Sequence, residues 1–302
     1  MSAPAQAPLS LSASLSSKVR SPNLGTIRTD RLGLGHVGQI VEWVASEGRL
    51  GVARVTAIVN ATSNFVLTRL ADCDSTFATA LEEAQRAGEV GADPSRDLDG
   101  LDAADKLTRL ASLFGWSAIS RDHLEVEGIR RLTTEDLAAA REIGGAIKPI
   151  VWAARRASGV EAFVGPAFLS RSEPLAAVDG AHNGIRLDGK HVSNLFLSGP
   201  GGGPDVTSFL DNNMDAAPMA VAAPLTPWFL RVTFPGHLPQ DDAVRRVVTA
   251  AGFDVAQVVA GSNGSSRWLT TDSLSRQDVG AACARLHAVH RIESYALRRL
   301  CT

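Results

Sequence analysis

The sequence predicts an α/β (α+β) fold with a mixed sheet, closed at its carboxyl end by a ferredoxin-like βαββαβ module. Three observations carry that expectation. Helix-period and strand-like segments alternate from Leu32 to about Ala222, the pattern of a sheet layered with helices. Several short β-branched or apolar runs, VARVTAIVN, FVGPAFL and NLFLSGPG among them, are punctuated by glycine and proline. After the double-proline break APLTPW (223–228), the remaining chain falls into the compact order strand, helix, strand, strand, helix, strand.

The elements follow in order. A glycine turn at 33–38 leads into a short apolar stretch, Ile40, Val41 and Val44, which supports at most three helical turns. Val52 to Asn60 is β-branched and reads as a buried strand. Phe65, Leu67 and Leu70, then Phe77, Leu81 and Ala84, recur at helical spacing and predict a helix over 64–88 with Gly88 as its stop. An acidic loop, GEVGADPSRDLDGLD, opens a helix from Leu101 to Phe114, VEGI begins a strand, and Asp136 starts another helix. LAAAREIGGAIKPIVWAARR passes from helix through a glycine pair into a strand, and FVGPAFL, GIRLDG and NLFLSGPG are further strands. In the last module WFLRVTF, FDVAQVVAG, SRWLTTDSL and IESYALRRL are strands, and DDAVRRVVTAAG and QDVGAACARLHAV are helices.

At 302 residues the chain has room for about two domains. A formal charge of −2 and a pI near 6.4 supply no basic field for nucleic acid or an anionic membrane, so neither partner is expected. Cys73, Cys283 and Cys301 are scattered and form no CxxC, which fits a reducing, cytoplasmic setting. Residues 1–24 read as a disordered Ser/Ala/Pro tail, with neither a secretory signal nor a membrane span. The five tryptophans are expected to fill cores or cover edges, and His287 and His290 suit the dipole at a helix end.

Gly33, Gly35 and Gly38 in GLGHVG match the dinucleotide fingerprint GxGxxG, whose glycines permit a tight turn and close backbone approach to a pyrophosphate. A lone match is weak, the preceding TIRTDR is too polar for a buried first strand, and the chain reaches VARVTAIVN before a βαβ unit of about thirty residues can close. Glu47, a candidate acid for a ribose, falls inside or just after the helix. An ordinary loop or evolutionary remnant is the preferred reading over a working nucleotide site.

Asp102 and Lys106 stand four apart and share one helix face, with Asp97 just ahead of that helix. Such a pair is ordinarily a surface ion pair. Here it lies among ordered motifs: NATSNFVLTRL from Asn60, EEAQRAG, ADPSRDLDGLDAADKL, VEGI, AIKPI, PLAAVDGAHN and LSGPGGG. Together, over about 50–225, they resemble homoserine dehydrogenases, whose substrate domain carries an NGTTNYIL-like turn and a DP-x-x-D-x-x-G-x-D-x-x-x-K loop and helix. The resemblance implies that Lys106 and Asp102 are catalytic, that Thr62, Asp97 and Glu89 bind substrate, and that NAD(P) is the coenzyme. Lysine facing a carbonyl or hydroxyl is suited to stabilise a developing alkoxide and assist proton transfer. The departures are Gly91 where the family has an acid, Glu89 where it has an aromatic, and Ala61 in place of the turn glycine. Lys18, Lys148 and Lys190 are the only other lysines, and none suits the second lysine of the family.

In these terms the chain divides into the tail, a Rossmann-fold remnant (25–50), a homoserine dehydrogenase-like substrate and dimerisation domain (51–225) and an ACT-like regulatory module (226–302). Most of the nucleotide domain is expected to be missing. Pro235-Gly236 marks the turn where ACT modules commonly bind an amino acid, although His237-Leu238-Pro239 departs from the usual pattern. Three readings stay open: a dehydrogenase interconverting L-homoserine and L-aspartate 4-semialdehyde in threonine and methionine biosynthesis, a catalytically inactive amino-acid-sensing regulator of an intact dehydrogenase subunit, and a coenzyme-free enzyme reusing the Asp97, Asp102 and Lys106 cluster on another small amino acid. A homodimer and a small amino-acid ligand are expected in each.

Overall fold

The computed structural model describes residues 32–46, 51–72, 75–91, 93–116, 118–201, 218–219, 221–236, 239–260 and 265–300. The tail at 1–24, Glu47, Cys73, Cys301, Gly202, Gly203, His237 and Leu238 lie outside them. The first part of the chain comprises α1 (His36–Ser46), β1 (Val52–Ile58), α2 (Ala61–Ala71), α3 (Phe77–Arg86), α4 (Ser95–Leu98), α5 (Leu101–Leu113), β2 (Ala118–Ile119), β3 (Glu125–Val126), α6 (Thr134–Glu142), β4 (Gly145–Arg156), β5 (Gly159–Ser170), β6 (His182–Gly189), β7 (Leu195–Pro200), β8 (Pro218–Met219) and β9 (Val221–Ala222). The second part is β10 (Trp228–Thr233), α7 (Asp241–Ala250), β11 (Val255–Ala260), β12 (Ser266–Thr271), α8 (Arg276–His290) and β13 (Glu293–Leu300), in the expected βαββαβ order.

The expected single helix over 64–88 is two helices. Asp72 closes α2, and Thr76 opens α3 by accepting the Thr79 amide on its hydroxyl. Side chains that compete for backbone hydrogen bonds favour such ends over helix interiors. α6 likewise begins before Asp136: Thr133 is its cap, and the Asp136 carboxylate accepts the Thr133 backbone amide, completing a capping box.

One mixed sheet runs through both parts, in the order β11-β12-β10-β13-β5-β4-β1-β6-β7, with β3 and β9 also pairing with β5. The long β4–β5 hairpin is antiparallel throughout, whereas β13 joins β5 in parallel register, Arg298 opposite Ala167. Alternation of side chains on the strands sends Val55, Ala57, Val151 and Ala153 to one face, where they meet Val37 and Val41 of α1 and Leu107 and Leu110 of α5. Ile58, Ile150, Trp152 and Phe163 gather on the other face. The glycine turn and α1 therefore share the core of the sheet that follows them in sequence.

The second part packs on two sides. Trp228, Leu230 and Val232 face its own helices, with Val244, Val248 and Leu286. Phe229, Trp268, Tyr295 and Leu297 point the other way, onto Leu137 and Ala140 of α6 and Phe168 of β5. Four tryptophans, 116, 152, 228 and 268, are buried.

Candidate active site

α2 and α5 converge through their amino-terminal ends. Asn60 stands between β1 and α2, and its Oδ1 accepts the Ser63 amide at 2.8 Å, capping the helix. That leaves its Nδ2 to donate, and it does so twice, to Asp97 Oδ1 at 2.7 Å and Asp102 Oδ2 at 2.8 Å. Asp102 also accepts from Lys106 Nζ at 2.8 Å, and the same ammonium donates to the Val59 carbonyl at 3.0 Å. One amide thus holds two carboxylates delivered by separate helices, one of them joined to the lysine.

The two carboxylates differ in their partners. Asp97 receives a neutral amide, and burial raises its pKa above the ordinary aspartate value; Asn60 opposes the shift, while the neighbouring Asp102 charge adds to it. Lys106 is only partly exposed, its side chain 14% accessible against 30% for Asp102, so the pair is more enclosed than an ordinary surface i,i+4 bridge. An ammonium has three N–H donors. Among the described residues the carboxylate and the carbonyl take two of them, which leaves one for an oxygen of a bound molecule.

Thr62 is buried and donates to the Glu89 carbonyl at 2.9 Å. Glu89 therefore meets the site through its backbone. Ser63 donates to the Asp97 carbonyl at 2.8 Å, tying α2 to α4. On the far side, Asn183 is buried at the start of β6, with its Nδ2 3.4 Å from the Gly201 carbonyl and no partner for its Oδ1 among the described residues. Asn64 and the buried Lys148 hold the loop before it: Asn64 donates to the carbonyls of Val178, Gly180 and His182, and Lys148 to Val178 at 2.7 Å and Asp179 at 2.6 Å. Burial lowers the Lys148 pKa, and Asp179 opposes that shift.

The glycine turn closes over this cluster. Gly33 and Gly35 both adopt φ +67°, a conformation that favours glycine. A Cβ on Gly33 would lie 3.2 Å from Lys106 Cε, and one on Gly35 would lie 2.5 Å from the Pro200 carbonyl oxygen. Gly38 lies within α1 and donates its amide to the Gly35 carbonyl. The close approaches of Gly33 and Gly35 are made to the chain's own atoms, Lys106 and Pro200. The effect of the turn is to bring the backbone down onto Lys106.

Sequence reasoning passed over Asn60, Asn64 and Asn183. Asn60 was legible as a cap before a helix, but its second role depends on a loop 37 residues away. Among the described residues no group of three or more His, Cys, Asp and Glu is placed to hold a metal ion, and no helix is long and apolar enough to cross a membrane.

The family model for homoserine dehydrogenase matches residues 45–209. Curated homoserine dehydrogenases of Synechocystis and Bacillus subtilis are 34% and 35% identical over 161 and 163 residues, which is 52% and 53% of this chain but only 37% and 38% of those proteins. This chain thus spans under two fifths of the length of these relatives. A solved homoserine dehydrogenase from Thiobacillus denitrificans superposes with a TM-score of 0.72 at 26% identity, covering 87% of this chain and 67% of that one. That coverage reaches beyond the residues of the family model, into the βαββαβ part.

Proposed function

The chain belongs to the homoserine dehydrogenase family, and we propose that its Asn60, Asp97, Asp102 and Lys106 cluster binds L-homoserine or L-aspartate 4-semialdehyde and handles the proton in their NAD(P)-dependent interconversion. The observation that carries this reading is the single Asn60 amide binding Asp97 and Asp102 at once, with Lys106 on the second carboxylate.

In this reading the remaining N–H of Lys106 meets the substrate's terminal oxygen. The ammonium stabilises negative charge growing there, worth about 10²–10³-fold in rate for a preorganised donor, and Asp102 keeps it aimed. Asp97 meets the substrate ammonium, with Thr62 and the Glu89 carbonyl shaping the adjoining wall. When bound, the nicotinamide supplies or accepts the hydride. Gly33, at the start of the Gly33–Gly38 turn, packs beside Lys106, so a coenzyme held near that turn would lie close to the cluster. A role in amino-acid biosynthesis, an amino-acid-sensing ACT role for the βαββαβ module and a homodimeric assembly belong to the same proposal.

The close packing of Gly33 and Gly35 on Lys106 and Pro200 also favours a second reading, in which the site binds the amino acid without turnover and the chain regulates an intact dehydrogenase subunit. Titration of the chain with NADPH, followed by homoserine-dependent reduction of NADP, separates the two. Saturable coenzyme binding with turnover supports the dehydrogenase. Homoserine binding with neither coenzyme binding nor turnover leaves the regulator, and no homoserine binding at all sinks both.

A further inference from the structure

A second cavity, of about 340 Å³, opens where β10, α8 and β13 meet the segment that follows β3. Its basic side chains come from both parts of the chain: Arg131 from that segment, Arg231 from β10 and His287 from the last turn of α8. Thr233 and Ser294 add hydroxyls from adjacent positions on paired strands, where Thr233 faces Glu293 in register and Val232 faces Ser294. Among the described residues Glu293 is the only carboxylate in the lining.

The two guanidinium groups are held by one aromatic ring. Arg131 lies 4.6 Å and Arg231 5.5 Å from the centroid of buried Tyr295, so cation–π attraction orients both before any ligand arrives. Arg231 spends one nitrogen on Asp136 at 2.7 Å and Thr133 at 3.0 Å. Arg131 has no carboxylate partner among the described residues. A planar guanidinium that is preorganised and lacks an acid partner is the group best suited to receive a carboxylate or phosphate through paired N–H donors. The volume falls in the usual range for small-molecule sites, about 300–1,000 Å³.

We propose that this cavity is a binding site for a small organic or inorganic oxyanion, carboxylate or phosphate, held by Arg131, Arg231 and His287 across the junction of the two parts. It is separate from the Asn60–Lys106 cluster. The same segment also touches that cluster's support: the Ile129 amide donates to the Leu98 carbonyl at 2.8 Å, and a Cβ on Gly128 would lie 2.4 Å from that oxygen. An anion on Arg131 would thus sit two residues along the chain from the backbone that packs on α4, which carries Asp97.

Calorimetric titration of the full chain with inorganic phosphate and with succinate, in chloride buffer and without coenzyme, tests the site. Saturable binding of at least one probe is expected, weakened at least tenfold in Arg131→Ala and in His287→Ala and only partly restored in Arg131→Lys, which keeps the charge but loses the paired donors. Peptide-resolved thiol labelling supplies an independent readout, since Cys283 lines the same cavity and should react more slowly with the probe bound. Phosphate alone, succinate alone or both binding would define the ligand class. No saturable binding of either, or binding undiminished in Arg131→Ala, would overturn the proposal. Because neither homoserine nor coenzyme is present, failure here is distinct from failure of the dehydrogenase reading.

Discussion

Asp97 and Asp136 are both enclosed aspartates at helix beginnings, yet they are finished differently. Asp136 is 1% exposed, and its two oxygens accept the Thr133 amide and hydroxyl, the Trp268 indole N–H at 2.9 Å and Arg231 at 2.7 Å. Its neighbours repeat the pattern, with Arg298 on Glu125 at 2.6 Å and Arg276 on Glu127 at 3.1 Å. Every one of these pairs spans the junction between the first part and the βαββαβ part. Asp97 instead accepts the uncharged Asn60 amide and shares that amide with Asp102. A carboxylate saturated by donors and a cation serves docking; one left short of positive charge, beside a lysine with an N–H to spare, suits the ligand proposed for it.

The largest effect expected from this contrast is at the junction. Asp136→Ala strands Arg231 and the Trp268 N–H and removes a capping box, so it should lower stability by about 3–5 kcal/mol, the usual result of breaking one side of a buried pair. Urea denaturation followed by tryptophan fluorescence would measure it, and a loss below about 1 kcal/mol would break the comparison.

Next comes Lys106→Ala, which should reduce homoserine turnover by about 10²–10³-fold while the denaturation midpoint moves little. Unchanged turnover would mark the cluster as structural. The glycine turn offers a third, graded test. Gly35→Ala combines left-handed strain of about 1–2 kcal/mol with a contact of 2.5 Å to Pro200, whereas Gly88→Ala, at φ +74° with nothing within 4 Å, bears strain alone. Equal denaturation midpoints for the two variants would show that the turn does not press on β7.

The smallest effect concerns pH. Because the Asp97 pKa is raised by folding, the native state binds its proton more tightly than the unfolded chain between the unfolded aspartate value and the folded one. Stability from this residue is therefore greatest at low pH and declines as pH rises through that window. Asp97→Asn should remove the decline and leave the protein slightly more stable near neutrality. Comparison of denaturation curves at pH 4 and pH 7 checks the sign; an Asn variant that loses stability only at pH 7 would show that the carboxylate is stabilising there.

Much of this was legible beforehand for identifiable reasons. Strand and helix periods located β1, α5, strand segments within β4 and β5 and the βαββαβ order, since alternation and 3.6-residue spacing are local properties of a chain. The i,i+4 spacing of Asp102 and Lys106 placed them on one face in the same way. The break between α2 and α3 was also written locally, in Asp72 and Thr76, but a long apolar period masked it. Asn60, Asn64 and Asn183 escaped because an asparagine's partners are long-range and its residue type suits caps and turns equally well.

By itself, then, the amino-acid order determined the elements, the family-like motif from Asn60 to Lys106 and the composition of each face. Tertiary structure alone decided that Gly33 and Gly35 press on Lys106 and Pro200, that one asparagine amide joins two carboxylates, and that β13 fuses the two parts into one sheet beside a cavity faced by Arg131 and Arg231. The reason is range. Backbone periodicity is set by neighbouring residues, whereas hydrogen-bond partners and close approaches are chosen only when distant segments meet, and a sequence does not display that meeting.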